Sequence, residues 1–262
     1  MATDDCIRVH FRRRQLVRDQ AGYSVWAVTE TPAEIRPAET ALLLCDVWDS
    51  HTCRGALERL TAMLGRMNEL VAALRACGVL IVHAPSETMD FYADSPARKR
   101  VLEAPPVEPP ENLPHDDPPL PTDTSGSLCD TDEVPGPRPP WTRQNAAIEI
   151  DEDLDAISDS GRELYGLYRA RGIRRVLILG VHTNCCILNR TFAIKQLVRW
   201  GVDVALVRDL TDAMYDPATF PYVSHKEGTR LVIEYIEKFW CPTVTSAELL
   251  AGAPAASPEE FR

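Results

Sequence analysis

Three segments of the chain repeat one order of apolar and polar positions: a helical period, a glycine, and a short apolar run. The helical stretches cover 57–74, 161–171 and 186–200, and the apolar runs after them cover 79–83, 175–180 and 202–207. The glycines between them are Gly78, Gly172 and Gly201. Glycine takes the left-handed conformation that ends a helix, and an apolar run without alternation predicts a strand buried on both faces. The repetition therefore predicts a parallel sheet with right-handed crossovers.

Two further elements complete this pattern. A first apolar strand covers 41–45, and a last helix begins near Ser224, with Glu227 at the spacing of a capping box. That helix is predicted to run to about residue 240, before a proline and a final short strand. The predicted fold class is α/β: a three-layer α/β/α arrangement around a doubly wound, mostly parallel sheet of about six strands.

A proline-rich stretch interrupts the pattern at 103–140. It holds 12 of the chain's 21 prolines and shows neither a helical nor an alternating period, which predicts a long irregular insertion. Two interpretations are open for it, a flexible surface loop and a lid over the site. The whole of 1–262 is predicted as one domain, with a loose tail over 251–262.

The net charge of −11 is unevenly spread, because the insertion alone carries nine acidic residues and one arginine. The remainder has no basic stripe that could neutralise phosphates, so nucleic acid is not expected as a partner. The cluster Arg12, Arg13 and Arg14 is interpreted as a solvated face. No apolar run of 18 residues occurs, and residues 1–10 lack the apolar stretch of a secretory signal. We therefore expect no membrane association and a cytoplasmic location.

The eight cysteines show no Cys-x-x-Cys pair and no regular spacing. A chain of this length needs no covalent staples, so we expect reduced thiols. Cys45, in an apolar run, and Cys77, near a helix end, fit buried structural thiols.

Polar residues follow the carboxyl ends of four predicted strands, where ligands bind in open parallel sheets. They are Asp46, Asp49, His51, His83, the segment 182–186, Asp209 and Asp212. Within Gly-Val-His-Thr-Asn-Cys-Cys (180–186) a strand turns into a helix that Thr183 or Asn184 is placed to cap. Cys186 then lies in the first helical turn, where free N–H groups and the helix dipole lower a thiol pKa and can hold an oxyanion. Cys186 is the predicted nucleophile, and Asp46 is its predicted base if the two strands are neighbours.

These residues resemble a known family. Asp46 after an apolar first strand, with Gly-Val-His-Thr-Asn-Cys-Cys-Ile further on, closely resembles the isochorismatase-like cysteine hydrolases, which include nicotinamidases and N-carbamoylsarcosine amidases. The likeness covers roughly 38–100 and 143–246 and is greatest to a bacterial branch. It implies Cys186 as nucleophile and Asp46 as its acid partner. It also implies a cis peptide between Val181 and His182, with the N–H groups of His182 and Cys186 forming an oxyanion hole.

The sequence departs from this family at one catalytic position. The family's third catalytic member is a lysine, but no lysine occurs between Lys99 and Lys195, and Asp159 falls at the equivalent place. Asp159 is therefore included among the catalytic candidates, although an acid there raises a thiol pKa. Arg190 lies four residues after Cys186 on the same predicted helix face, and it can pair with Asp159, steady the thiolate, or form an ordinary ion pair.

Several side chains are candidates for substrate contacts. They are Trp48, His51, His83, Tyr92, His182 and Arg190. Asp49, His51 and His83 can alternatively bind a divalent metal, although no tight ligand spacing supports this. No other cofactor is expected.

The sequence favours hydrolysis of a C–N bond in a small amide, ureide or imide through a thioester. The first alternative is a hydrolase of other chemistry, such as vinyl-ether cleavage with Asp46 as general acid. The second is a non-catalytic protein that binds small molecules on the same fold. The expected partners are a small-molecule substrate and further copies of the chain in a homo-oligomer.

Overall fold

The structure, a computed structural model, describes residues 6–253. It contains one sheet of eight strands in the order β2-β1-β8-β7-β6-β3-β4-β5. The strands are β1 (Ile7–Arg18), β2 (Ser24–Ile35), β3 (Thr40–Cys45), β4 (Leu80–Ala84), β5 (Ala156–Ile157), β6 (Arg175–Val181), β7 (Asp203–Asp212) and β8 (Thr243–Val244). The run from β7 to β5 is parallel, β7 pairs in parallel with β8, and β1 pairs antiparallel with both β2 and β8.

Helices cover both faces of the sheet, as the predicted α/β/α layering requires. They are α1 (Arg54–Ala76), α2 (Pro96–Leu102), α3 (Gly161–Arg171), α4 (Cys186–Asn189), α5 (Ile194–Arg199), α6 (His225–Phe239) and α7 (Ser246–Gly252). One core joins the sheet to α3 and α6, and the other joins it to α1 and α7. Side chains of β3 alternate between the two: Leu43 lies in the first and Leu44 in the second. This is why its sequence is apolar at every position.

The predicted count of about six strands is wrong, because the β1–β2 hairpin adds two at one edge of the sheet. Ile7, Val9 and Phe11 alternate with polar residues, which is the pattern of a half-buried strand rather than an apolar run. That signal was available in the sequence.

The hairpin also corrects the interpretation of the arginine cluster. Arg12 Nε donates to the buried Glu237 carboxylate of α6 at 2.7 Å, and Arg14 pairs with both Glu237 and Glu234. Two of the three arginines therefore fasten β1 to α6 instead of forming a solvated face.

The predicted helix over 186–200 is divided into α4 and α5. The chain between them passes the start of α3, where a Cβ on Gly161 would lie 2.0 Å from the Thr191 carbonyl oxygen. The Gly161 N–H donates to Thr191 Oγ1 at 3.0 Å. The helix is broken where the two backbones pack closely. Because of this break, α4 is only four residues long.

The insertion at 103–140 contains no helix or strand, yet it is fastened to the domain at two places. Asp117 pairs with Lys195 of α5 at 2.7 Å and accepts from the Tyr235 hydroxyl of α6. Further along, Cys129 forms a disulfide with Cys53 at the start of α1, with 5.5 Å between the Cα atoms. The expectation that all thiols are reduced is therefore wrong for this pair.

The C-terminal prediction is only partly within the described residues. Residues 251 and 252 belong to α7 rather than to a loose tail, and 254–262 lie outside the described residues. Among helices of the described part, none has the length and apolar character needed to cross a membrane.

Candidate active site

The two strands that carry the predicted nucleophile and base are neighbours. In the parallel pairing of β3 with β6, Cys45 lies opposite Gly180, so Asp46 and the chain after Val181 leave the sheet at the same edge. A Cβ on Gly180 would lie 2.0 Å from the Cys45 carbonyl oxygen, and the residue has a φ of 116°. Only glycine fits there. The peptide between Val181 and His182 is cis, as the resemblance implied.

Cys186 and Asp46 meet at this edge. The Cys186 thiol and the Asp46 carboxyl group lie close enough to act on each other's pKa. Burial, followed by the negative charge of Asp46 and the hydrogen bond to it, raises the thiol pKa. The predicted lowering of this pKa by a helix terminus is therefore wrong, because α4 is too short to supply a substantial dipole and the thiol is largely shielded from water.

Asp46 is fully buried, and three groups hold its carboxylate. Ser86 N–H donates to Oδ1 at 2.9 Å, and Arg190 Nε donates to Oδ2 at 3.0 Å. Cys186 is the third partner. Burial nevertheless leaves the pKa of Asp46 above its ordinary value, because the hydrogen bonds and Arg190 offset the loss of water only in part.

Arg190 reaches the site, although not through Asp159. Its guanidinium lies 3.4 Å from Glu87 Oε1 and 6.0 Å from the centre of the Trp48 ring. Asp159 accepts the Glu87 backbone N–H at 2.9 Å. Asp46, Arg190, Cys185 and Cys45 act electrostatically on the Cys186 thiol. Asp159 thus supports the Glu87 loop, and the predicted Arg190–Asp159 pair is replaced by an Arg190–Asp46 pair.

A pocket of about 450 Å³ opens onto Cys186. Its wall is formed on one side by the nucleophile segment and on the other by the insertion. The lining residues are Asn184, Cys185, Cys186, Asn189 and Arg190, facing Leu120, Thr124 and Leu128. The insertion thus forms part of the wall around the candidate nucleophile.

Solved structures similar to this chain include the following two. A cysteine hydrolase from Pseudomonas syringae pv. phaseolicola has a TM-score of 0.51 at 19% identity, with 85% of this chain and 96% of that chain covered. An isochorismatase from Pseudomonas putida has a TM-score of 0.49 at 11% identity, with 81% and 91% covered. No protein-family model and no curated protein matches the sequence.

The chain has the isochorismatase-like fold. The fold that the sequence motifs implied is thereby confirmed. On this fold the remaining candidate residues divide into those that lie near Cys186 and those that are occupied elsewhere.

Aromatic side chains form a cluster that includes Trp48, which lies beside Arg190. Trp48 stacks on Trp141 with 4.1 Å between ring centres, and the rings of His51 and His182 meet edge to face at 4.8 Å. Burial, assisted by the neighbouring His51, lowers the pKa of His182 to about 3, and burial also lowers the pKa of His51. Both imidazoles are therefore neutral near pH 7. Trp141 was missed in the sequence, because it follows the insertion and is brought to Trp48 only by the fold.

His83 and Tyr92 have hydrogen-bond partners in the interior. His83 is fully buried between Asp155 Oδ2 at 2.9 Å and the Gln144 side-chain amide at 2.7 Å. The Tyr92 hydroxyl accepts the Gln144 backbone N–H. The contacts of His83 and Tyr92 with a substrate stay predictions. Gln144 was missed in the sequence, because it follows the insertion and its approach to His83 leaves no sequence pattern.

The three proposed metal ligands are also kept apart by their own partners. Asp49 binds the backbone and hydroxyl of Thr142, and His51 Nδ1 accepts the Cys53 N–H. With His83 paired to Asp155, the three do not form a ligand set. Across residues 6–253 no group of three His, Cys, Asp or Glu side chains is arranged to hold a metal ion.

The predicted capping residues of α4 have other partners. Thr183 Oγ1 lies 2.8 Å from Thr211 Oγ1, and the Asn184 side chain binds both backbone groups of Met214. They tie the nucleophile segment to the end of β7 and so fix the position of Cys186.

Proposed function

We propose that this chain is a hydrolase that cleaves a C–N bond in a small amide, ureide or imide, with Cys186 as the nucleophile. The observation that carries the proposal is that the neighbouring ends of β3 and β6 bring the Cys186 thiol, which lines the pocket, beside the buried Asp46 carboxyl group. A thiol attacks as the thiolate, and a base within hydrogen-bonding reach can remove its proton as the attack proceeds.

The proposed reaction has two steps. In the first, Asp46 takes the thiol proton while Cys186 Sγ bonds to the substrate carbonyl carbon, and the proton then passes to the nitrogen as the C–N bond breaks. This releases ammonia or an amine and leaves a thioester. In the second, water gives a proton to Asp46 and adds to the thioester, and Cys186 leaves with that proton. The N–H groups of His182 and Cys186 are the proposed donors to the oxyanion.

A screen of amides, ureides and carbamates with ammonia release as the readout tests the proposal. We expect Cys186→Ser and Asp46→Asn to reduce turnover at least about 10³-fold, because each removes one member of a unit that acts together. Cys185→Ser is the matched control, since this thiol lines the same pocket. Full turnover in Cys186→Ser would contradict the assignment of the nucleophile.

The raised pKa of Asp46 favours a second candidate, the cleavage of a vinyl ether with Asp46 as general acid. A carboxyl group that keeps its proton nearer to neutral pH is a better proton donor. Turnover of such a substrate that survives Cys186→Ser but not Asp46→Asn would select this candidate. Binding without turnover of either substrate class would select a non-catalytic binding protein. A homo-oligomeric state and a cytoplasmic location also belong to the proposal, and sedimentation analysis would test the first.

A further inference from the structure

Arg190 lies on the same turn of backbone as the candidate nucleophile. Its own N–H donates to the Cys186 carbonyl oxygen at 3.1 Å, at the end of α4. The side chain then folds back to the buried Asp46, and about 29% of its surface stays exposed. One short turn therefore supplies both a thiol and a guanidinium to the same carboxylate.

The proton shared by Asp46 and Cys186 moves one negative charge between two poorly solvated atoms. With the proton on sulfur, the charge lies on the Asp46 carboxylate, and with the proton on Asp46 it lies on Sγ. An uncompensated charge in such a place is strongly disfavoured. Arg190 acts electrostatically on both Asp46 and Cys186, so its positive charge offsets the negative charge in either arrangement.

Other groups hold the guanidinium in this position. Glu87 pairs with the terminal nitrogens at 3.4 Å, and the Trp48 ring lies beside them. Asp159 fixes the Glu87 backbone. The titratable groups that interact with Arg190 include Asp46, Cys186, Cys185, Cys45 and Glu87. Arg190 is thus oriented from the Glu87 side, which leaves its Nε for Asp46.

We propose that Arg190 is a positioning residue that compensates the negative charge shared by Asp46 and Cys186, and so makes the thiolate accessible. The inference rests on the proposed function, because it assigns Cys186 as the nucleophile. It also predicts that the charge of residue 190, rather than its shape, controls the reactivity of this thiol.

The test is the pH profile of Cys186 alkylation by iodoacetamide from pH 6 to 10, followed by mass mapping of the labelled peptide. We expect Arg190→Gln to raise the apparent pKa of Cys186 by about one unit or more. Below that pKa, each unit lowers the alkylation rate about tenfold, because the thiolate is the reactive form. Arg190→Lys keeps the charge, and we expect its rate to stay within about threefold of the original chain. Arg171→Gln, at the exposed end of α3, is the matched control and should leave the profile unchanged.

An unchanged profile in Arg190→Gln would overturn the proposal. So would a shift that Arg190→Lys shows equally, since that would indicate a role of shape. If Arg190→Gln does not fold, Glu87→Ala decides, because Glu87 is half-exposed and is the carboxylate that holds the guanidinium beside Asp46. We expect slower alkylation in Glu87→Ala, which loss of a negative charge near the thiol cannot by itself produce, and an unchanged or faster rate would contradict the inference. Alkylation needs no turnover, so the inference can hold where hydrolysis fails, and it can fail where hydrolysis is observed.

Discussion

At the scale of single residues, the site depends on two backbone positions that the side chains alone do not reveal. Asp46 has a φ of 51°, in the left-handed region that few residues other than glycine adopt. Gly180 lets β6 approach the carbonyl of Cys45. Together they place the carboxylate and the nucleophile segment within reach of each other.

We expect Gly180→Ala to destabilise the domain by about 3 kcal/mol or more, because the new methyl group would overlap the Cys45 carbonyl at a positive φ. Gly65→Ala is the control, since a Cβ there meets no atom within 4 Å. Because Gly65 lies in the middle of α1, we expect Gly65→Ala to stabilise the domain by about 0.5–1 kcal/mol. Urea unfolding of both variants measures the difference, and equal stabilities would contradict the close approach.

The pH dependence of turnover should report the burial of Asp46. As a base, Asp46 must be ionised, and burial raises its pKa above the ordinary 3.8. We therefore expect kcat/KM to fall with decreasing pH, through a pKa above that of a free aspartate. An acid limb at the ordinary value would contradict this, and a rate that instead falls as pH rises through the same pKa would identify Asp46 as a general acid.

At the scale of elements, the insertion is a strap that is fastened to the domain at two places. Its first part is held by α5 and α6, and its second part packs on α1 through the Cys53–Cys129 disulfide and the Arg59–Asp130 ion pair. Leu120 and Leu128 belong to this strap and line the pocket. A strap in this position is compatible with a lid over the site, and the lid stays a prediction.

We expect the disulfide to stabilise the folded chain, since it joins residues 76 positions apart. The chain-entropy model gives about 4 kcal/mol for a loop of this length. Reductant should lower the melting temperature of the original chain and leave that of Cys129→Ser unchanged. An equal response of both proteins would show that the bond does not form in solution.

Replacing 103–140 with a short Gly-Ser linker, together with Cys53→Ser, tests the strap directly. We expect a folded protein, because both cores are built from the sheet and its helices. Turnover should fall, because one wall of the pocket is lost. Cooperative unfolding with unchanged turnover would rule out a role in the site, and loss of cooperative unfolding would show that the strap is needed for the fold.

At the scale of the whole molecule, one charged cluster joins four parts of the chain. Asp212 at the end of β7 pairs with Arg59 of α1 at 2.8 Å and with His225 of α6 at 2.9 Å. Asp130 of the insertion contacts both partners, Arg59 at 2.9 Å and His225 at 3.2 Å. The cluster therefore fastens the insertion to α1 on one face of the sheet and to α6 on the other face.

This cluster should make stability depend on pH. Burial lowers the pKa of His225, but the hydrogen bond and charge of Asp212 outweigh it, so the net pKa is raised above 6.5. A raised folded pKa contributes stability below the unfolded value, and that stability is lost as pH rises through the folded value. We expect the free energy of unfolding to fall across this window in the original chain and to stay flatter in His225→Gln. Parallel curves in urea titrations would contradict the assignment.

The sequence alone determined the features that are encoded locally. Helical periods, a glycine at a helix end and unbroken apolar runs predicted α1, α3, α6 and the central strands, because period and burial are written in consecutive residues. The same pattern placed Asp46 and Cys186 at strand ends, and neighbouring strands brought them together. The break between α4 and α5 was not predictable in this way, since it accompanies the packing of Thr191 on Gly161.

Only the tertiary structure decided which side chains act on one another. Arg190 pairs with Asp46 across 144 positions, and His83 pairs with Asp155 across 72. Neither pairing can be recognised from neighbouring residues in the sequence. Any acidic residue that the fold brought to the same place would form the same ion pair. Burial likewise reversed the predicted direction of the Cys186 pKa, since the loss of water around a thiol depends on every segment packed over it.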